Sequence, residues 1–245
     1  MFKLALEVEN FLAVKRAKLR SDNNITLIIA PNRAGKTQLM LFLYSFFWSL
    51  WRDIKEGKPI FFSIGSKLKN VFLIKNLRDL ISWGSYECKF SITIDDKYQY
   101  IFHQEKEKRK TEDLGADLGS FKEIKLSKSP IYIPPAGLGD YYKGIWAIKK
   151  YYEKWRLVPE ATTDLLHDLF ILASEGIETE KENEKLISVF EKMFQAKFFI
   201  KNERIYVQEK GKSYGIEKTA SGLKSLSWLY LILKYNLIGE NPIYR

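Results

Sequence analysis

The sequence contains very little cysteine and histidine, and this limits the chemistry that it can carry. Among 245 residues there is one cysteine, Cys88, so an internal disulfide framework is excluded and a reducing compartment is favoured. Alternation with Phe90 and Ile92 predicts that Cys88 packs on the buried face of a strand. The two histidines, His103 and His167, are far apart and have no cysteine partners. We therefore expect neither a zinc site nor a Ser/His/Asp catalytic group.

The chain also lacks a hydrophobic run long enough to cross a bilayer. Its most apolar stretch, residues 39–51, is well short of the roughly 20 residues that a membrane-spanning helix needs. Residues 1–9 alternate like a strand and carry charges, so no secretory signal is predicted. These absences predict a cytoplasmic protein without membrane contact.

Acidic residues are outnumbered by basic ones. The chain has 40 Lys and Arg against 30 Asp and Glu, which gives a formal net charge of +10 and a pI of about 9.4. Such a charge favours polyanions such as nucleic acid, although it also occurs in proteins that bind none. The 46% hydrophobic and 29% charged composition is typical of a folded globular protein with a large core.

The residues that are present point first to a phosphate-binding loop. Residues 24–37 read NITLIIAPNRAGKT, which is an apolar strand, a polar turn and then Gly-Lys-Thr at the start of a long apolar segment. This is the order of a P-loop. In such a loop Gly35 lets the backbone approach the phosphate, Lys36 places a positive charge against the outer phosphates, and the Thr37 hydroxyl is the expected Mg²⁺ ligand. Ala30 stands where the general pattern has glycine, which adds one methyl group.

Backbone N–H groups of this turn are expected to bind the phosphate oxygens. The predicted nucleotide-binding residues of this segment are Asn32, Arg33, Ala34, Gly35, Lys36, Thr37 and Gln38. The alternative is a chance Gly-Lys-Thr turn before a buried helix. The strand and helix context that the motif requires is also present, so nucleotide binding is favoured.

Hydrophobic periodicity predicts a chain of mixed strands and helices. Strands are expected at residues 2–8, 13–19, 25–30, 86–94, 98–102, 131–133, 197–200 and 204–208, and helices at about 37–54, 140–156, 159–175, 180–195 and 221–237. Residues 60–83 fit short strands or short helices equally well. The expected fold class is α/β.

The helix predicted at residues 140–156 carries basic residues on one side. Lys143, Lys150 and Lys154 lie opposite an aromatic and aliphatic face, and such a stripe suits a phosphate backbone. A solvated helix face explains the same pattern as simply. DNA contact through these three lysines is therefore one of two open interpretations.

A second possible anion site lies near the other end of the chain. Residues 219–225 read TASGLKS and open a long apolar helix, so Ser221 and Gly222 lie at its N-terminus. Taken alone, this pattern is fully explained if Ser221 caps the helix.

Several of these segments together resemble the ABC-type ATPase heads of the structural-maintenance-of-chromosomes, RecF and OLD-nuclease group. The resemblance rests on LEVENFLAVKRAKL, APNRAGKT, IYIPPAG and TASGLKSL, of which the P-loop is the specific part. It implies a P-loop NTPase head with a mixed central sheet, an antiparallel β subdomain and a helical subdomain. It also implies that two heads dimerise with ATP between the P-loop of one and the signature Ser221-Gly222 of the other.

Under this resemblance the whole chain is one incomplete head. Residues 1–58 and 86–135 would form the nucleotide-binding and β parts, residues 140–196 the helical subdomain, and residues 197–245 a hairpin plus the signature helix. The implied ligands are ATP and Mg²⁺, with Thr37 as a metal ligand.

The sequence departs from the family pattern in several places. Arg33 stands where the family usually has a small residue, and neither Gln99 nor Gln104 lies in the expected context for the Q-loop glutamine. Long coiled-coil arms are missing. After the signature helix, no Walker B Asp-Glu pair or switch histidine is found, so no catalytic base can be named.

These features lead to a functional hypothesis with two alternatives. We expect the ATP-binding portion of an ABC-type ATPase of DNA repair or genome defence, hydrolysing ATP only if a C-terminal part or a partner subunit supplies Walker B. One alternative is a nucleotide-dependent interaction module that does not hydrolyse ATP. A P-loop kinase or GTPase ranks last, because the guanine-reading Asn-Lys-x-Asp motif is absent.

Overall fold

A computed structural model gives the fold of the chain. It describes residues 3–22, 25–107, 112–113, 121, 123–124, 126, 128–134, 142–147, 159–177 and 181–237. The chain forms two compact units, Met1–Leu126 and Ser127–Arg245.

The first unit is built on a five-stranded antiparallel sheet. Its strands are β1 (Leu4–Phe11), β2 (Val14–Ser21), β3 (Glu87–Ile94), β4 (Tyr98–Glu105) and β5 (Glu112–Asp113), in the order β2-β1-β3-β4-β5. Both hairpins predicted from alternation are confirmed, and the turn at Asp95-Asp96 adopts the left-handed conformation expected of a tight hairpin. Alternation therefore predicted β1 to β4, whereas β5 and the pairing of β1 with β3 were not predicted.

One face of the sheet is covered by helix α1 (Lys36–Lys55), and α2 (Ile64–Phe72) and a short 3₁₀ helix (Leu77–Leu80) follow. Phe42 of α1 stacks on Phe90 of β3 with ring centroids 3.5 Å apart, and both rings are fully buried. The ambiguous stretch at residues 60–83 thus contains two short helices, and Ile81 after them forms an isolated β-bridge with Phe11.

Cys88 is fully buried in this core, which confirms the packing role predicted for it. Burial, with a smaller contribution from the neighbouring Glu87 carboxylate, raises the pKa of the Cys88 thiol to about 12. Because the thiolate is the reactive form, this thiol is inert at neutral pH.

Residues 25–30, expected as a buried central strand, do not form one. The segment is extended, but none of the described strands pairs with it. The side chains of Ile25, Leu27 and Ile29 are 86%, 80% and 82% exposed. The prediction of burial is therefore wrong, because the described residues place no sheet beside this segment.

The second unit combines helices with a three-stranded antiparallel sheet. Its elements are α3 (Glu160–Ser174), α4 (Lys181–Phe194), β6 (Ala196–Lys201), β7 (Arg204–Glu209), β8 (Lys212–Gly215) and α5 (Ser221–Lys234), with sheet order β6-β7-β8. The helices predicted at residues 159–175, 180–195 and 221–237 and the hairpin turning at Asn202-Glu203 are confirmed. Trp228 and Leu231 of α5 pack into a core with Leu166 of α3.

Two predicted elements of this unit come out differently. The prediction of a strand at residues 131–133 is wrong, since these residues pair with none of the described strands. Of the helix expected at residues 140–156, residues 142–147 are helical and residues 148–156 lie outside the described residues.

Taken together, the two units have the mixed α/β architecture, with antiparallel sheets and helices, that the sequence predicted. No helix in the described part of the chain is both long enough and apolar enough to span a bilayer.

Candidate phosphate-binding site

The predicted phosphate loop is a tight turn that runs directly into α1. The backbone N–H of Ala34 donates to the Pro31 carbonyl at 3.3 Å, which closes the turn. Arg33 and Gly35 have φ angles of 68° and 84°, both in the left-handed region. Left-handed residues within a turn are one of the elements of the backbone nests that bind anions.

The first turn of α1 offers free donors at its positive end. Gly35 is the N-cap residue, and no described side chain caps the helix. The first turn also contains no acidic residue. Because the first N–H groups of a helix have no intrahelical acceptor and carry the positive end of the dipole, this terminus favours an anion.

Lys36 is folded back over the loop. Its ammonium donates to the carbonyl oxygens of Ala30 at 2.5 Å and Pro31 at 2.9 Å, and the residue is half-buried. These neutral acceptors hold the positive charge beside the turn. Thr37, the next residue, is exposed, so its hydroxyl is accessible to a metal ion bound with a phosphate.

The loop is seated against the β1–β2 hairpin. A methyl group at Gly35 would come well inside van der Waals contact with Cγ2 of Val14. Gln38 accepts a hydrogen bond from the backbone N–H of Ala13 at 3.0 Å through Oε1. Sequence analysis placed Gln38 among the nucleotide-binding residues, whereas its side chain here binds the hairpin. The roles of Ala13 and Val14 were missed, because nothing local in a strand sequence marks such a contact.

Gly35→Ala is expected to destabilise the first unit by about 2 kcal/mol. A left-handed backbone costs a non-glycine residue about 1 kcal/mol, and the crowding against Val14 adds about as much. Urea unfolding measures the change. Gly57→Ala is the matched control, because Gly57 also has positive φ (64°) but no described atom lies within 4 Å of the position that its added methyl group would occupy. If the double variant Gly35→Ala/Val14→Ala loses as much free energy of unfolding as the two single variants together, crowding against Val14 is not the cause.

The other loop residues predicted to bind nucleotide directly precede Gly35. Asn32 and Arg33 are exposed at the turn, and Ala34 is half-buried beneath it. The structure thus places residues 32–35 in a turn and Lys36 and Thr37 in the first turn of α1, and their binding of nucleotide stays a prediction.

The second predicted anion site lies in the other unit, at the start of α5. Ala220, with φ −64° and ψ 147°, is the N-cap residue, and no described side chain caps the helix. The explanation of Ser221 as an N-cap is therefore wrong, because Ser221 is already the first helical residue. Ser221 and Gly222 are both exposed, and no described atom lies within 4 Å of the position that a Gly222 methyl would occupy.

The lysines proposed for DNA contact are described in part. Lys143 donates to Glu217 at 2.8 Å, and this hydrogen bond raises the pKa of Lys143 and lowers that of Glu217. Lys143 is therefore partly neutralised within its own unit. Lys150 and Lys154 lie outside the described residues.

Comparison with known proteins adds little to this site. No protein-family model matches the sequence, and no curated protein is significantly similar to it. Among solved structures, one similar in fold is described as the recombination mediator protein RecF with ATP in the RecFOR pathway. The TM-score is 0.40 and the identity 15%, over 99% of this chain and 85% of that chain. So weak a likeness carries no argument about function, and the site depends on its own residues.

Proposed function

We propose that the chain binds ATP with Mg²⁺ at residues 31–37, as the nucleotide-binding part of an ABC-type ATPase of DNA repair or genome defence. The observation that carries the proposal is the loop itself. A left-handed Gly35 leads into an uncapped helix whose first residue, Lys36, holds its ammonium over the turn. The DNA-associated role rests on the net charge of +10 and on the sequence resemblance, which are weaker support.

Each residue then has a specific task. Backbone N–H groups of the turn and of the first turn of α1 would bind the phosphate oxygens. Lys36 would exchange its two carbonyl acceptors for the outer phosphates, which accept stronger, charge-assisted hydrogen bonds. The Thr37 hydroxyl would hold Mg²⁺, and that ion, when bound, neutralises charge that develops between the phosphates.

We further propose that residues 25–30 pair with a strand from another polypeptide segment. Three apolar side chains on one side of this segment are at least 80% exposed, and its backbone groups are unpaired with any described strand. An edge of this kind is a template for strand addition. The added segment would also be the source of the carboxylates that hydrolysis requires.

The sandwich arrangement implied by the resemblance is part of the same proposal. ATP would lie between the loop of one copy and the start of α5 of a second copy. Gly222 supports this arrangement, because alanine is about 1 kcal/mol more favourable than glycine within a helix and packing inside the unit leaves room for it. The glycine is better explained by close approach of a ligand or partner than by its own fold.

A second candidate is a nucleotide-dependent interaction module that does not hydrolyse ATP. The exposed segment at residues 25–30 favours it, because a surface completed by a partner could be switched by nucleotide at the adjoining loop. Both candidates begin with ATP binding at Lys36 and differ in turnover.

ATP binding by the 245-residue chain, measured by calorimetry with Mg²⁺ present, tests the shared step. Lys36→Ala is expected to weaken binding about 100-fold, since it removes charge-assisted hydrogen bonds of about 1.5–3 kcal/mol. Lys75→Ala, an exposed lysine of the same unit, should bind as the unchanged chain does. Equal affinity in all three proteins would contradict the proposal.

Phosphate release in the same samples separates the two candidates. Binding without turnover favours the interaction module for the chain alone. Turnover that disappears in Lys36→Ala would mean that a carboxylate within the chain activates water.

A further inference from the structure

Three side chains with metal-ligating chemistry meet on the outer face of the five-stranded sheet. The antiparallel register pairs Glu87 of β3 with Glu105 of β4, and His103 lies two residues before Glu105 on the same face. The intervening residues Cys88 and Gln104 are buried on the opposite face. The hairpin therefore brings together residues that are 16 and 18 positions apart.

The imidazole of His103 lies between the two carboxylates. Its Nε2 is 2.7 Å from Oε2 of Glu87, and its Nδ1 is 4.0 Å from Oε1 of Glu105. One possible ligand atom from each of the three residues lies within 4.8 Å of the other two. The side chains of His103 and Glu105 are 16% and 20% exposed, so they are held in place, whereas that of Glu87 is 52% exposed and can rotate.

The charges at this point of the sheet favour a cation. Like charges directly opposite each other on neighbouring strands are destabilising, by up to about 1 kcal/mol. The nearby ammonium of Lys89, opposite His103 in the register, also acts on Glu7 of β1. The pKa of Glu7 is held below its usual range, mainly by its hydrogen bond to Lys18 and more weakly by Lys89.

We propose that Glu87, His103 and Glu105 bind a divalent transition-metal ion, with Zn²⁺ as the best fit. One imidazole and two carboxylates form the mixed nitrogen and oxygen set that suits zinc better than Mg²⁺ or Ca²⁺, which prefer oxygen alone. Three protein ligands leave a fourth tetrahedral position open for water. The ion would also replace the repulsion between Glu87 and Glu105 by attraction to a shared charge.

Zinc binds one ring nitrogen of His103, whereas Glu87 lies beside Nε2 and Glu105 beside Nδ1, so the side chains must rotate to bring the three donor atoms together. With ligand distances of about 2.0–2.1 Å, tetrahedral zinc needs donor atoms about 3.3 Å apart. The Glu87 carboxylate would move outward from its hydrogen bond to His103, and the Glu105 carboxylate would move inward. The expectation that zinc is excluded considered only histidine and cysteine partners, and the strand register supplies carboxylates instead. This proposal does not depend on nucleotide binding.

Calorimetric titration of the nucleotide-free chain with Zn²⁺ tests the site. His103→Gln is expected to weaken binding at least about 100-fold, and Glu87→Gln and Glu105→Gln about 10-fold each. The matched control is His167→Gln, which removes the second histidine. Among the described residues His167 pairs with Asp168 at 3.6 Å, and loss of His167 should leave the affinity unchanged.

A second readout distinguishes coordination from loss of structure. Zn²⁺ should raise the unfolding temperature of the unchanged chain and of His167→Gln but not of His103→Gln, with the same circular dichroism for all three without metal. Co²⁺ in place of Zn²⁺ should give visible absorption bands that disappear in His103→Gln. Absence of Zn²⁺ binding, or equal affinity with and without the His103 imidazole, would overturn the proposal.

Discussion

Phe42→Ala is expected to lower the free energy of unfolding of the first unit by about 4 kcal/mol. Truncation of a fully buried phenylalanine costs about 3–5 kcal/mol, because transfer energy is lost and a cavity remains. Phe42 is at the centre of the aromatic core. Its ring stacks on Phe90 at 3.5 Å and meets Phe11 edge to face at 5.7 Å, which places its cost in the upper part of this range.

Urea unfolding followed by circular dichroism measures this effect. Phe62→Ala is the matched control, because Phe62 belongs to the same unit but is 69% exposed, and its change should stay within about 0.5 kcal/mol. Comparable losses in the two variants would show that the aromatic core does not stabilise the unit as described.

Asp53→Ala is the second large change, with an expected loss of about 3 kcal/mol. Asp53 is fully buried near the end of α1 and accepts two hydrogen bonds from Ser63, from the backbone N–H at 3.1 Å and from Oγ at 2.6 Å. The substitution leaves both donors buried without that acceptor, which costs about 1–3 kcal/mol for each group. It also disconnects α1 from the N-cap residue of α2.

A double-mutant cycle identifies the source of this loss. Ser63→Ala removes the hydroxyl donor, so the double variant should lose less than the sum of the single variants, by about 1 kcal/mol. Asp22→Ala is the surface control, since Asp22 is an exposed aspartate of the same unit outside the left-handed region and should change stability little. Additive losses at Asp53 and Ser63 would mean that their hydrogen bonds are not the stabilising contact.

The sequence predicted the hairpins and helices well, because their signals are local. Alternation from Cys88 to Ile94 and the Asp95-Asp96 turn depend on nearby residues alone, and the hairpin formed as expected. Residues 25–29 have the same apolar character, but burial of a strand depends on a neighbouring strand, which no local pattern reveals. The failure at residues 131–133 has the same physical cause.

The candidate sites also differ in whether local sequence or distant contacts determine them. The order of residues 32–37 predicted a turn followed by the start of α1, since the motif is contiguous. The relation between Glu87 and His103 depends on strand register, and the contact between Gly35 and Val14 depends on tertiary packing. Neither can be obtained from residue spacing alone.

The hydrogen bond from Ala13 to Gln38 makes the β1–β2 turn a natural reporter of the loop. Ala13 donates its amide proton to a side chain two residues beyond Lys36. Any ligand that draws Gln38 toward the loop would release this proton to solvent and speed its hydrogen exchange. A ligand that binds only when this hydrogen bond is broken has to overcome the free energy of the bond. By thermodynamic reciprocity, a substitution in the turn that weakens the bond therefore changes the affinity for that ligand by the free energy that the bond has lost.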